Sequence, residues 1–486
     1  MQRKSTLLHV LLGALVLLAA LVVPPSPSQA ASFFVDRSVA TSGDGRSWAT
    51  AWKSFAKVRW SSIRPGDTLY VSGGASGKTY TESLTVGASG SAGSPITIRP
   101  GLSAGHSGPV IIDGQNLRDT GIFLSSRNHV LVTGFDLRNH PGAGIGVKYA
   151  TAGVRIENNK IYSGDPGDSN ARGIDVRNCV GTDAVIVRSN AFTTPPDTLA
   201  QTDGIWSSAN NGVIFENNRI VISNSNTWGH SDGIQSYLDV NITIRGNWFE
   251  QANNATTDNH GMWLSNTRNG GVLKVYNNVV LVPNLTADSA VTHFAESTWN
   301  ENGTARFWNN TVIGGKRGFN LYKSPNAQAW NNIVWPAAGG FAFVIIDGTI
   351  PAANIDRNLI WAPNATVAYV GTSNLTYAGW KARGYDRSGV NADPLFTSLA
   401  AEDFTLQAGS PAIDAGAEFA EVTTDIAGTP RPQGAATDIG AYERIATTAS
   451  LTPIAATTGT ADALPTTDGG ASEPTDEPEG EDAGTE

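Results

Sequence analysis

The chain has 486 residues, 40% of them hydrophobic, a formal net charge of -10 and a single cysteine, Cys179. One cysteine excludes an intramolecular disulfide, so stability has to come from core burial, and Cys179 itself reads as a small buried apolar residue. Nine acidic and no basic residues lie beyond Ile445, which leaves the body near neutral and gives no basic patch, so no nucleic-acid partner is expected.

In chain order, basic Arg3 and Lys4, an apolar run over 7–23 and small residues around Ser28-Gln29-Ala30 predict a signal peptide over 1–31. The mature protein is therefore expected to be secreted, extracellular, monomeric and free of the membrane. A single domain over 32–445 follows, opening with Trp48, Trp52 and a short helix over 55–60 that would cap the end of a solenoid, which otherwise exposes apolar core. Alternating apolar residues at 68–72, 95–99 and 110–114 read as strands.

Two columns then recur at a spacing of roughly 22 to 32 residues. Glycine precedes an apolar residue at Gly121, Gly144, Gly173, Gly204, Gly233, Gly261, Gly318 and Gly340, with Ala290 substituting once. Asparagine follows a strand at Asn159, Asn190, Asn218, Asn247, Asn278, Asn310, Asn332 and Asn358. The repeat predicts coils of two or three short strands joined by polar turns. Stacked amides would hold one turn and glycines would allow a bend.

Toward the end, Ser410-Pro411-Ala412-Ile413-Asp414-Ala415-Gly416 and Asp438-Ile439-Gly440-Ala441-Tyr442-Glu443 resemble the closing segment common in secreted bacterial right-handed parallel β-helix proteins. The resemblance implies an all-β, right-handed parallel β-helix solenoid whose last coil this segment caps. Residues 446–486, rich in Thr, Pro and acid, read as a disordered tail.

The residues before the column glycines read Thr120, Ala143, Arg172, Asp203, Asp232, His260, Ser289 and Arg317; those two after read Phe123, Gly146, Asp175, Trp206, Gln235, Trp263, Thr292 and Asn320. Neighbouring strands lie about 4.8 Å apart, so Asp203, Asp232 and His260 should form a ladder. Stacked carboxylates repel, one of them should stay protonated, and an unequal pair is what glycoside hydrolysis uses as acid and base. Trp206, Trp263 and Trp228 could stack on sugars, with Arg172, His230, Gln235, His293 and Arg317 as further substrate-binding candidates.

The phrases Thr202-Asp203-Gly204, Ser231-Asp232-Gly233 and Asn259-His260-Gly261 resemble the active-site coils of pectin-degrading β-helix enzymes, most closely polygalacturonases. Gln201 stands where that family has Asn, one aspartate stands for its pair, and Gly is missing before His260. The resemblance implies Asp203 and Asp232 as acid and base, His260 as the residue that tunes them, and a uronate-containing extracellular polysaccharide as substrate. Resemblance to the lyases of this fold implies instead β-elimination with calcium, for which Asp165, Asp168 and Asp175 are candidate ligands and Arg172, Lys316, Arg317 or Lys323 candidate bases. A non-catalytic surface or adhesion module binding glycan in the same groove is the alternative.

Overall fold

The computed structural model describes residues 30–445 apart from 163–170, 196–200, 224–229, 252–258, 266–270, 283–292, 299–302, 347–349 and 363–364, with strand 293–298 described by its backbone. The expected signal peptide and tail lie outside the described residues. The chain divides into Met1–Ile445 and Ala446–Glu486, and everything described belongs to the first unit.

Each coil contributes three short strands. Val185–Arg188, Ala191–Thr193 and Thr202–Ser208 make one coil, and Ile214–Glu216, Arg219–Ile222 and Asp232–Tyr237 the next. Strands stack with their counterparts, so among the described residues the first, second and third sheets hold 12, 11 and 12 strands. Apart from Ser373–Thr376, which closes the third sheet antiparallel to Thr366–Val370, pairing is parallel along the stack, with Phe215 opposite Ile244, Ile220 opposite Phe249 and Ile234 opposite Met262. These inward residues are almost wholly buried, and the alternation that hid them in one core is what the sequence displayed.

The corner between first and second strands carries the asparagine column. Asn247 Oδ1 accepts from the backbone N–H and Nδ2 of Asn218 at 3.0 and 2.9 Å, and Asn278 Oδ1 accepts in the same way from Asn247. The ladder ends on the carboxylate of Asp386, which takes both bonds from Asn358. A left-handed residue precedes each rung, among them Asn217 (φ 55°), Gly246 (φ 64°) and Asn277 (φ 54°).

A second ladder stands at the corner after the third strand. Cys179 N–H donates to Asn210 Oδ1 at 2.8 Å and Asn210 N–H to Asp239 Oδ1 at 2.7 Å, while Ser236 Oγ donates to Asp239 Oδ2 at 2.7 Å. Burial pushes Asp239 up to about 6, and does the same to Asp386 and Asp438. A carboxyl raised in the folded state holds its proton more tightly there than in the unfolded chain. Its contribution is complete below the ordinary 3.8 and is lost as pH rises through about 6. Unfolding followed by fluorescence should therefore show greater stability at pH 5 than at pH 7.5, by about 1 kcal/mol for each of these groups, and Asp239→Asn should remove its share.

The glycine column exists for room, not for a left-handed backbone. A Cβ on Gly233 would lie 2.3 Å from Phe249 Cδ1 and 2.4 Å from the Gly261 carbonyl, and one on Gly204 would meet Ile220 and the Gly233 carbonyl. Core side chains of the second sheet fill that space. Gly233→Ala should lower stability by about 3 kcal/mol or more, read as a fall in thermal midpoint or loss of soluble protein.

The two ends differ from the sequence reading. Residues 55–60 form no continuous helix: 3-10 turns at Phe55–Lys57 and Trp60–Ser62 place Phe55 against Tyr80, and Trp52 stacks on Phe33. At the other end, helix Tyr377–Ala382 puts buried Trp380 over Phe343, and this helix covers the last coil. The closing segment instead folds back along the outside of the solenoid. Phe404 stacks on Trp248, Phe419 on Trp308, and Asn277 Nδ2 donates to the Thr424 carbonyl. Its turns serve a lateral clamp, because the outer faces of the first and second sheets carry aromatic residues that need cover.

Candidate functional site

The corner from second to third strand varies most in length, and the third strands that follow it carry the site. Three hydrogen bonds fix their entry: Thr202 N–H donates to Ser231 Oγ at 3.0 Å, Ser231 N–H to Asn259 Oδ1 at 2.6 Å, and Asp232 N–H to Asp203 Oδ1 at 3.1 Å. All these residues are buried. Coils locked in this way hold the next residue of each strand in one row.

The observed row is Thr120, Ala143, Arg172, Asp203, Asp232, His260, His293, Arg317 and Phe341. It differs from the sequence reading at two points. His293, not Ser289, is the partner of His260 and Arg317, so Phe294 takes the place assigned to Ala290, which lies with Ser289 and Thr292 outside the described residues. Gly340 also leaves its column, since Arg317 pairs with Phe341 and puts Ala342 beside Gly318. Three residues further along the strands, Asp175, Trp206, Gln235, Trp263, Glu296 and Asn320 form the parallel row. Glu296 does not stand out in the sequence because Phe294 occupies the position where the other coils carry a small residue.

Asp232 is the centre of the cluster. His260 donates from Nδ1 to its Oδ1 at 2.6 Å, and His230 from Nδ1 to its Oδ2 at 2.9 Å. The side chains of Asp232 and His260 are 0% and 1% exposed, whereas His230 is 21% exposed. Its ring packs against Trp263 with centroids 4.1 Å apart. Burial and the charge of Asp232 push Asp203 well above the ordinary carboxylate range, against the pull of His230 and Arg172. Burial acts on Asp232 as well, but His260 and the hydrogen bond from His230 outweigh it and hold Asp232 below that range. Two carboxyls on adjacent coils are thus driven apart, one toward the acid form and one toward the ion.

The predicted binding residues flank this cluster on the same sheet. Arg172 lies over Trp206, its Cζ 4.6 Å from the ring centroid, and Arg177 approaches the same ring at 5.8 Å. Gln235 separates Trp206 from Trp263 by one coil on either side, a span of about 9.6 Å. Buried Asp203 Oδ2, Trp206 Nε1, Gln235 Oε1 and Trp263 Nε1 have no hydrogen-bond partner among the described residues. Buried polar atoms are normally satisfied, so such a row is a place where a hydroxyl-rich ligand would gain most.

Of the candidate calcium ligands, Asp165 and Asp168, like Trp228, lie outside the described residues. Asp175 accepts from Arg177 Nε at 2.6 Å, and a guanidinium at that distance opposes a cation on the same carboxylate. The donor atoms of His230, Asp232 and His260 lie within 4.8 Å of one another, and each ring Nδ1 is committed to a carboxylate oxygen of Asp232, so the three form one hydrogen-bonded set.

Comparison with known proteins bears on the fold. The family model described as "Right handed beta helix region" matches residues 120–302, and no curated protein matches the sequence. Among solved structures, XylC in complex with xylose superposes with a TM-score of 0.50 at 11% identity, covering 85% of this chain and 98% of that one. Pectate lyase Pel9A gives 0.39 at 15% identity, covering 85% and 96%, and the GH136 lacto-N-biosidase from Eubacterium ramulus 0.34 at 12%, covering 71% and 68%. At such identities the likeness concerns architecture alone. Among the described residues no helix is long and apolar enough to cross a membrane.

Proposed function

We propose that this right-handed parallel β-helix protein is a secreted carbohydrate-active enzyme that cleaves an extracellular, uronate-containing polysaccharide along the groove of its third sheet. The observation that carries the reading is the unequal carboxyl pair, Asp203 raised and Asp232 lowered, on adjacent coils between two tryptophans. Asp203 holds the proton that the departing sugar oxygen needs. Asp232, ionised, orients His230 and His260 through their Nδ1 hydrogens and supplies the negative charge that a developing positive sugar ring favours, while a water attacks the anomeric carbon and gives its proton to the His230–Asp232 pair. Trp206 and Trp263 give sugar rings two stacking faces, and Arg172 gives a uronate carboxylate its counter-charge.

The three members with least exposure are Asp203, Asp232 and His260, and this burial favours a second reading, a module that binds glycan without cleaving it. Incubating the purified protein with pectate, alginate, hyaluronan, xylan and neutral glucans, with and without calcium, separates the readings. New reducing ends without ultraviolet absorbance would support hydrolysis, and both signals together, lost on chelation, would support β-elimination. Binding without either signal would favour the module.

A further inference from the structure

A second built cleft lies on the opposite side of the solenoid, where the closing segment crosses the first sheet. It encloses about 350 Å³ and is lined by Glu216, Arg245, Tyr276, Asn277, Glu421 and Thr424 among others. Glu216, Arg245 and Tyr276 are partners on three successive coils, so the wall repeats with the coil spacing. Arg245 donates from Nε and Nη2 to Glu216 Oε2 at 2.8 and 2.6 Å, and from Nη1 to the Tyr276 hydroxyl at 3.1 Å. Across the cleft, Glu421 is paired with Lys274 at 2.9 Å and with Arg306 at 3.1 Å. Asn277 is fixed by its bond to the Thr424 carbonyl at 2.6 Å, yet its buried Oδ1 has no hydrogen-bond partner among the described residues.

These features select a ligand class. Glu216 is paired with Arg245, and Glu421 with Lys274 and Arg306, while Asp425, which also lines the cleft, accepts from the backbone N–H groups of Ala427, Thr429 and Glu443, so a charged ligand would have to compete with contacts already made. A neutral ligand would not. The guanidinium, carboxylates and amide are planar groups held rigid, and Arg245 and Glu421 keep 43% and 34% of their side chains exposed. Fixed planar donors and acceptors at a partly open surface suit vicinal hydroxyls, and the volume admits one to two sugar rings. We propose that this cleft is a saccharide-binding site for neutral sugars, separate from the groove on the third sheet, which would hold a glycan chain on the protein without acting on it.

The site can be tested without reference to turnover. Isothermal titration of the intact protein with xylotriose, cellotriose and maltotriose, and with trigalacturonate as the charged control, should show binding of at least one neutral trisaccharide. Arg245→Gln and Glu421→Gln should each weaken that binding about tenfold or more, whereas Trp206→Ala and Trp263→Ala should leave it unchanged. Glu421→Gln changes a partly exposed group on the clamp, so an intact circular dichroism spectrum with lost binding isolates recognition from folding. Absence of any neutral ligand, neutral-sugar binding that survives both Arg245→Gln and Glu421→Gln, or binding lost only in the tryptophan variants would overturn the proposal. Because no cleavage is measured, failure of the catalytic reading would leave this result standing.

Discussion

Asp203→Asn is expected to lower turnover on the cognate polysaccharide about a thousandfold while glycan binding and the thermal midpoint stay near those of the parent. The amide keeps the oxygen that accepts from Asp232 N–H and the volume of the buried group. It removes the transferable proton. Asp232→Asn should be equally inactive but also less stable, since both imidazole Nδ1 donors then lose a carboxylate. The pH profile gives an independent check. Asp203 is raised by burial and by the charge of Asp232, so activity should fall as pH rises through its raised value. If both variants were merely to unfold, the two aspartates would be structural and the catalytic reading would fail.

Breaking the amide ladder should cost as much stability as crowding the glycine column. Asn247→Ala strips the acceptor from Asn218 N–H and Nδ2, and the donor from the Phe215 carbonyl and from Asn278 Oδ1. Each group is buried, and water cannot replace the lost partner. A loss of about 3 kcal/mol or more follows, measurable as a lower urea midpoint. Asn247→Asp should be nearly as damaging, since it restores the acceptor alone. Asp386 tolerates that chemistry because it ends the ladder and has no further rung to donate to; Trp380 Nε1 donates to its second oxygen at 2.8 Å.

How much could be read in the sequence depended on whether a position keeps its residue type from coil to coil. The asparagine ladder keeps it and could be followed rung by rung. The second ladder changes at every rung, from Cys179 to Asn210 to Asp239, and was invisible although its geometry is as regular. The left-handed residue before each asparagine varies in the same way, as Ser189, Asn217, Gly246 and Arg357 show. In the site, Asp203, Asp232 and His260 could be placed because each precedes a glycine that the core of the second sheet requires. The register of the following coil was misjudged because Phe294 stands where that glycine would be. The bond from His230 to Asp232 could not be read at all, since it depends on the path of a turn rather than on strand spacing. The lateral clamp was likewise hidden, because its contacts join residues more than a hundred positions apart, such as Asn277 and Thr424.

The most direct test of the account is a crystal structure of the Asp203→Asn variant soaked with an oligosaccharide of whichever polymer the parent cleaves. Sugar rings are expected across Trp206 and Trp263, with the scissile oxygen within hydrogen-bond reach of residue 203 and His230 at the ring edge. A chain bound on another face, with the third-sheet groove empty, would contradict it.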